Sequence, residues 1–335
     1  MIIVSVIIPT YNYSQFITDA IDSILCQDFP QDEMEIIIVD DGSTDDTRQV
    51  LKQFIDNKQI QYFYQNNSGK ASATSFAIKK CSGKYIFNLD ADDFFAKNKI
   101  VEFVKIFDSD VDIVHVSSPA QCIKGDHQII EIERIPQEIL MRALDGPSLL
   151  KMFYRNNILF GGGSTYAARA SVLKALDIPN ACDMYIDEFL VLAVLPYGKS
   201  YFIERPLSIW RIHNSNYSGN NNEPSKQFQK AKRLLDSSAA ILAYLRKNSL
   251  DKELVKIYDL QHATRTVVFE GFHQNGGSKS IINYAWIVFF KIKPEWYLLQ
   301  KYHVFNRFIP VPLYKILKRM QFTFTALLLY IMSKG

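Results

Sequence analysis

Hydrophobic residues in the first hundred positions come in short dense runs separated by polar turns. Ile2 to Ile8 is an almost continuous β-branched run stopped by Pro9-Thr10, the pattern of a strand buried on both faces in a parallel sheet. A polar loop, Tyr11-Asn12-Tyr13, follows. Ser14 is placed to cap a helix whose Phe16, Ile17, Ala20, Ile21, Ile24 and Leu25 recur at helical spacing. Glu35 to Val39 predicts a second buried strand. It ends in the acidic turn Asp40-Asp41-Gly42-Ser43-Thr44-Asp45 and leads to a helix carrying Val50, Leu51, Phe54 and Ile55. Ile60 to Tyr64 predicts a third strand. The loop Gln65 to Lys70 and a helix through Phe76 and Ile78 come next, and Gly83 admits a fourth strand, Tyr85 to Leu89. That strand runs into Asp90-Ala91-Asp92-Asp93. The order β-α-β-α-β-α-β predicts an α/β fold with a mostly parallel sheet flanked by helices.

The rest of the chain has a weaker pattern. Ile100 to Phe107 reads as a helix, Val111 to Val116 as a strand, and Gln128 to Ile135 alternates as an exposed strand does. His115 and His127 read as structural or solvated, since nothing nearby completes a metal site. Gly161-Gly162-Gly163-Ser164 precedes an apolar segment, Tyr166 to Ala168, and permits either close backbone approach or a flexible loop. Asp183 to Glu188 opens a helix through Phe189, Leu192 and Leu195, and acids in a first helical turn suit the macrodipole. The polar run Asn214 to Asn222 marks a boundary. It divides a domain of residues 1–220 from a helical region, 221–335, that includes Ala231 to Arg246 and Leu254 to Phe272.

Charge sharpens that division. The net charge of the 335 residues is +3. Residues 1–220 hold 20 Lys and Arg against 28 Asp and Glu, a net of −8, whereas residues 221–335 hold 18 against 7, a net of +11. From Ser280 onward the basic residues alternate with Trp286, Phe289, Phe290, Trp296, Tyr297 and other aromatics, with Glu295 the only acid. This composition suits an interfacial helix on an anionic membrane better than a nucleic-acid groove, so no nucleic-acid partner is expected. No run of 18 apolar residues predicts a spanning helix. Cys26, Cys81, Cys122 and Cys182 are widely spaced, and the N-terminus lacks a signal-peptide pattern. The expectation is a cytoplasmic protein, peripheral on the membrane.

Three predicted strand ends carry polar loops: Pro9 to Tyr13, Asp40 to Asp45 and Asp90 to Asp93. In a parallel sheet they emerge on one edge and can converge on one ligand. Neither a G-x-G-x-x-G turn nor a P-loop is present, which disfavours a dinucleotide oxidoreductase or a P-loop NTPase. Hard carboxylate oxygens suit Mg²⁺ or Mn²⁺, and acidic loops hold phosphate only with a cation between. The pattern therefore favours a nucleotide held through a divalent ion.

Val4 to Asn12, Ile37 to Asp45, Asn66-Asn67-Ser68-Gly69-Lys70 and Asp90-Ala91-Asp92-Asp93 resemble, in order and spacing, the successive motifs of family 2 glycosyltransferases. The resemblance is strong over about residues 3–95 and extends more weakly to about 215. It implies a GT-A type fold, a UDP-sugar donor, Mn²⁺ or Mg²⁺, and inverting transfer to a saccharide or lipid-linked acceptor in cell-surface polysaccharide or glycolipid synthesis. Under it Pro9, Thr10, Tyr11 and Asn12 would line the nucleotide pocket, with Asp41 accepting the uracil N–H. Lys70 would reach the base or the diphosphate. Asp90 would lie near the ribose, Ala91 would belong to the donor site, and Asp92 would bind the metal that bridges the two phosphates. Arg211 and His213, in the segment Glu204 to His213, would approach the diphosphate or metal from the other side. The family usually has Glu-Asp where this chain has Asp187-Glu188. Glu188 is taken as the base that deprotonates the acceptor, with Asp187 next. The reversed order also leaves room for an inactive nucleotide-binding or scaffold protein of the same fold. Asp93 has no role in this reading.

Overall fold

The computed structural model describes residues 1–124, 128–156, 158–213, 224–248 and 251–273. The first half alternates as the hydrophobic runs predict. It comprises β1 (Val4–Thr10), α1 (Ile17–Leu25), β2 (Met34–Asp40), α2 (Thr47–Asp56), β3 (Gln61–Tyr64), α3 (Lys70–Lys80) and β4 (Tyr85–Asn88). Then follow β5 (Phe94–Phe95), α4 (Lys99–Ser109), β6 (Ile113–Ser117), β7 (Ala120–Lys124), β8 (Gln128–Ile132), β9 (Ala143–Asp145) and α5 (Gly146–Asn156). The remainder is β10 (Ala167–Arg169), α6 (Ala170–Leu173), α7 (Ile186–Val194), β11 (Lys199–Phe202), β12 (Ser208–Ile212), α8 (Pro224–Lys247) and α9 (Lys252–His273).

Eight strands form one sheet in the order β3-β2-β1-β4-β10-β6-β11-β9. Its first four are parallel, with Val6 opposite both Ile36 and Phe87. Side chains alternate between faces. Val4, Val6 and Ile8 of β1 join Ile36, Ile38, Tyr85 and Phe87 in one buried cluster with residues of α1, α2 and α4. Because β4 returns to the far side of β1, a right-handed crossover carries α3 over the opposite face, where Ala71, Ala73, Ala77 and Ile78 are buried. The second half departs from the parallel pattern, since β10 is inserted antiparallel between β4 and β6.

Four strands make a second sheet, β5-β12-β7-β8. In it Ser208 and Ile209 pair with Phe95 and Phe94, and β12 runs parallel to β7. The acidic turn Asp90 to Asp93 is therefore the junction between the sheets: β4 lies in the large one and β5 in the small one. The same junction brings the end of β12 alongside the acids.

One local expectation is corrected. Ser14 does not cap the first helix; α1 begins at Ile17 with Phe16 at the cap position. Ser14 instead donates its backbone N–H to Asp45 Oδ2 at 3.0 Å, so the β2–α2 loop holds the segment out of the helix.

Residues 1–154 and 158–255 form one compact unit. In it, α8 packs on the 3₁₀ turn Asn180–Tyr185, with Ser237 Oγ accepting from the Met184 N–H at 3.0 Å. Of the described residues, 155–156 and 256–273 fall in a second unit, mainly the later turns of α9. There Arg265 donates to Tyr258 Oη at 2.9 Å. Among the described residues no helix is long and apolar enough to cross a membrane. His127, the polar run from Asn214 and the aromatic-basic stretch from Ser280 lie outside the described residues.

Candidate active site

At the carboxyl edge of β1, Pro9 and Thr10 are buried and Tyr11 is exposed. Asn12 adopts a left-handed backbone, φ 59°, a conformation asparagine tolerates better than most residues. This turns its side chain onto the next loop, where Oδ1 accepts from Thr44 N at 2.7 Å and Asp45 N at 3.3 Å. Thr10 Oγ1 has no hydrogen-bond partner among the described residues.

Asp41, at the end of β2, is buried and organises the loop before α3. Its Oδ1 accepts from Ser68 N at 2.8 Å and from Gln65 Nε2 at 2.7 Å, and its Oδ2 accepts from Gly69 N at 2.8 Å. A carboxylate has about four acceptor positions. The three bonds leave about one, on Oδ2, for a ligand N–H. Gly69 has φ 91°, and a Cβ there would lie 2.7 Å from Asp183 Oδ1, so only glycine fits at this turn. Lys70 then opens α3 with its ammonium beside the acidic turn.

Lys70 Nζ lies 2.9 Å from Asp90 Oδ1 and 3.1 Å from Asp187 Oδ2. Burial works against the lysine charge, but Asp187 and Asp90 outweigh it and hold the ammonium above the ordinary lysine range. The same burial raises Asp187 above the usual carboxylate range; Lys70 pulls against that shift and Asp90 adds to it. Asp187 also faces the glycine run, with Gly163 about 3.9 Å from its carboxyl carbon when measured from an added Cβ. Gly161 has φ 86°, and the His115 ring packs so close that an added Cβ would lie 2.7 Å from it. His115 is buried between Ser200 Oγ at 2.7 Å and the Gly161 carbonyl at 3.0 Å, and desolvation lowers its pKa to about 4.

Glu188 is buried and points elsewhere, accepting from Tyr154 Oη at 3.0 Å. Successive helical residues diverge by about 100°, so one of this pair faces the cluster and the other does not. Asp187 is the one that does.

Ala91 is buried, and beyond it Asp92 Oδ2 lies 3.1 Å from His213 Nε2. Burial raises the Asp92 pKa and the Asp90 charge adds to it, while the bond from His213 opposes both. A desolvated carboxylate among other carboxylates favours a cation. An Asp92 oxygen and the His213 nitrogen are of the donor types that suit Mn²⁺ or Mg²⁺, and these two residues would hold such an ion. Among the described residues no three His, Cys, Asp or Glu side chains form a closed cage.

Arg211 reaches the acidic turn through its backbone, while its side chain turns to α1. Its guanidinium bonds Asp19 of α1 at 2.6 Å and lies over the rings of Phe16 and Phe94. Asp93 is buried, with Oδ2 accepting from Ser164 Oγ at 2.5 Å and Oδ1 from Arg211 N at 3.1 Å. Burial, with the Asp92 and Asp90 charges, raises its pKa well above the usual range. Sequence reasoning overlooked Phe16, whose ring centroid lies 4.2 Å from that of His213, and also Ser164 and Lys99. Phe16 fits the helical spacing and so reads as ordinary core. Ser164, which follows the glycine run, carried the clearer signal.

The parallel half-sheet with acidic strand ends and the acidic turn between two sheets agree with the GT-A type of fold that the resemblance implies. A structure of Staphylococcus aureus TarS residues 1–349 in complex with UDP-GlcNAc has the same fold, with TM-score 0.62 and 17% identity over 86% of this chain and 81% of that one. The chain belongs to glycosyl transferase family 2, whose pattern matches residues 5–176. An uncharacterized glycosyltransferase of Rickettsia bellii is 46% identical over 97 residues, which are 29% of this chain and only 14% of that protein. One of Nostoc is 30% identical over 223 residues, 64% of this chain and 66% of that protein. The poly(ribitol-phosphate) β-N-acetylglucosaminyltransferase TarS is 28% identical over 179 residues, 52% of this chain and 29% of TarS.

Proposed function

We propose that this protein is an inverting glycosyltransferase that moves a sugar from a UDP-sugar to an acceptor hydroxyl. The observation that carries the reading is the convergence of Asp90 and Asp187 on Lys70. On this reading Asp90 is the donor-side carboxylate and Asp187 the acceptor-side one, and both share the Lys70 cation. Pro9, Thr10, Tyr11, Asn12 and Asp41 line the nucleotide pocket, and Asp41 keeps one acceptor position for the base. Asp187, raised by burial, takes the proton as the acceptor oxygen bonds to the anomeric carbon. The bond from that carbon to the diphosphate breaks on the opposite face, so configuration inverts and UDP leaves. Lys70 orients Asp187 and balances the charge between the two carboxylates. Mn²⁺ or Mg²⁺, held by Asp92 and His213, would supply Lewis-acid stabilisation of the leaving diphosphate.

This reading assigns the base to Asp187 ahead of Glu188, because Glu188 is engaged by Tyr154. The likeness to TarS supports a surface-polysaccharide acceptor. The net charge of +11 on residues 221–335 supports docking on an anionic, cytoplasmic membrane face, which liposome flotation tests. The deciding experiment is release of UDP from a panel of UDP-sugars by purified protein with Mn²⁺, with Asp92→Ala and Asp187→Asn as controls. UDP binding without turnover on a broad acceptor panel would instead favour an inactive nucleotide-binding protein. If no UDP-sugar binds with any divalent ion, the reading fails.

A further inference from the structure

Under the acidic turn runs a polar circuit that the proposed chemistry does not use. Its centre is Lys99, the first residue of α4, which is 0% exposed. Lysine is almost never fully buried unless its ammonium is paired. Here Nζ donates to the Ser164 carbonyl and, at 2.7 Å, to Ser208 Oγ. It also lies 3.9 Å from the centroid of the Phe95 ring. Two oxygens accept from it beside one ring face, and burial pushes this amine well below the ordinary lysine range.

Each partner passes the constraint on. Ser208 Oγ donates to the same Ser164 carbonyl at 2.9 Å. The Ser164 hydroxyl donates to Asp93 Oδ2 at 2.5 Å and accepts from Asp90 N at 3.1 Å. Asp93 Oδ1 closes the circuit on Arg211 N at 3.1 Å. Four segments are thereby tied together: α4, the turn Gly163–Thr165, the acidic turn and β12. The first merely supports the other three, which carry Asp90 and Asp92, the glycine run facing Asp187, and the approach to His213.

A core that needed only volume at position 99 would be served by an apolar side chain, because burying a polar amine costs more than burying a methylene chain. The lysine instead fixes Ser164, and Ser164 fixes the backbone from which Asp90 and Asp92 project. We propose that Lys99 is a positioning residue for sugar transfer. Through Ser164 it keeps the acidic turn in register with the glycine run, so that Asp90 and Asp187 meet on Lys70 while Asp92 meets His213. This rests on the donor and base reading above.

Lys99→Met keeps most of the side-chain length and removes the amine. At a temperature where both proteins are folded by circular dichroism, affinity for UDP with Mn²⁺, measured by calorimetry, is expected to weaken about tenfold. Turnover at saturating donor is expected to fall by a similar factor. Hydrogen exchange in the unliganded protein is expected to speed up in residues 90–94 and 161–166, while β1 exchanges as in the native protein. Native-like affinity, turnover and exchange in a variant that loses only thermal stability would overturn the proposal, leaving Lys99 as core filler. If Lys99→Met does not fold, Ser164→Ala, which removes only the hydroxyl, is the second variant. The same loss of affinity supports the circuit and unchanged affinity overturns it. If the native protein binds no UDP with Mn²⁺, the functional reading fails instead, and the exchange pattern still decides the circuit.

Discussion

Tyr154 holds Glu188 inside the protein through a 3.0 Å hydrogen bond, and this contact separates two adjacent acids into different tasks. Asp187→Asn is expected to lower turnover by about a hundredfold or more, the scale of a lost general base, with donor affinity little changed. Glu188→Gln is expected to leave turnover within a few fold and to cost about 1–3 kcal/mol of stability, the scale of a disturbed buried hydrogen bond. Steady-state kinetics and thermal denaturation of both variants check the pair. Loss of turnover in Glu188→Gln alone would reverse the assignment.

Lys70 opposes the upward shift of Asp187. Removing its charge in Lys70→Met leaves burial and Asp90 unopposed, so the Asp187 pKa rises further. The acid limb of the pH–rate profile, where the base must be ionised, is then expected to move to higher pH. A limb that stays in place or moves lower would mean that Asp187 is not the group being titrated.

Phe16 supports the face of His213. With Phe16→Ala the imidazole gains freedom, and affinity for Mn²⁺ in the presence of UDP is expected to drop about tenfold, as when a supporting contact to a ligand is lost. UDP affinity without metal should change much less. Calorimetry in both conditions makes the comparison, and equal losses in the two would place Phe16 in the nucleotide pocket instead.

At the opposite edge of the sheet, Glu35 accepts from Ser5 Oγ at 2.6 Å, Gln61 Nε2 at 2.8 Å and the Ser82 hydroxyl at 2.9 Å. Burial alone would raise its pKa. The hydrogen bonds outweigh burial and lower it from the ordinary 4.5. A carboxylate with a depressed folded pKa contributes stability above its unfolded value and loses it as pH falls through the folded value. Glu35→Gln is therefore expected to cost about 1–3 kcal/mol at neutral pH and to flatten the loss of stability below pH 4.5. Urea unfolding across that range reads both effects, and an unchanged acid slope would show that the clamp carries no linkage.

The parallel half of the fold was legible because its strands are buried on both faces. Runs such as Ile37-Ile38-Val39 need no partner information to be recognised, and the acids that end them mark the strand termini. The second half was not legible in the same way. β9 and β10 are three residues each, too short for a period, and the antiparallel insertion of β10 is decided by contacts far along the chain. The site divides likewise. Asp90, Asp92 and Lys70 lie in motifs that carry their own signal. The role of Asp93 depends on Ser164, 71 residues away, and the direction of Glu188 on Tyr154, 34 residues away. Lys99, within Lys97-Asn98-Lys99, reads as one more solvated charge, and only the packing of Phe95 and Ser208 around it says otherwise.

The four residues Asp90 to Asp93 form a seam where one chain leaves the large sheet and enters the small one. Any shear of one sheet against the other must pass through that seam and displace the acids. A donor held at one end by the Asp41 loop and at the other by His213 would rivet the two sheets together. The loaded protein would then be stiffer than the empty one, and slackness between the sheets would be felt first as lost grip on the nucleotide.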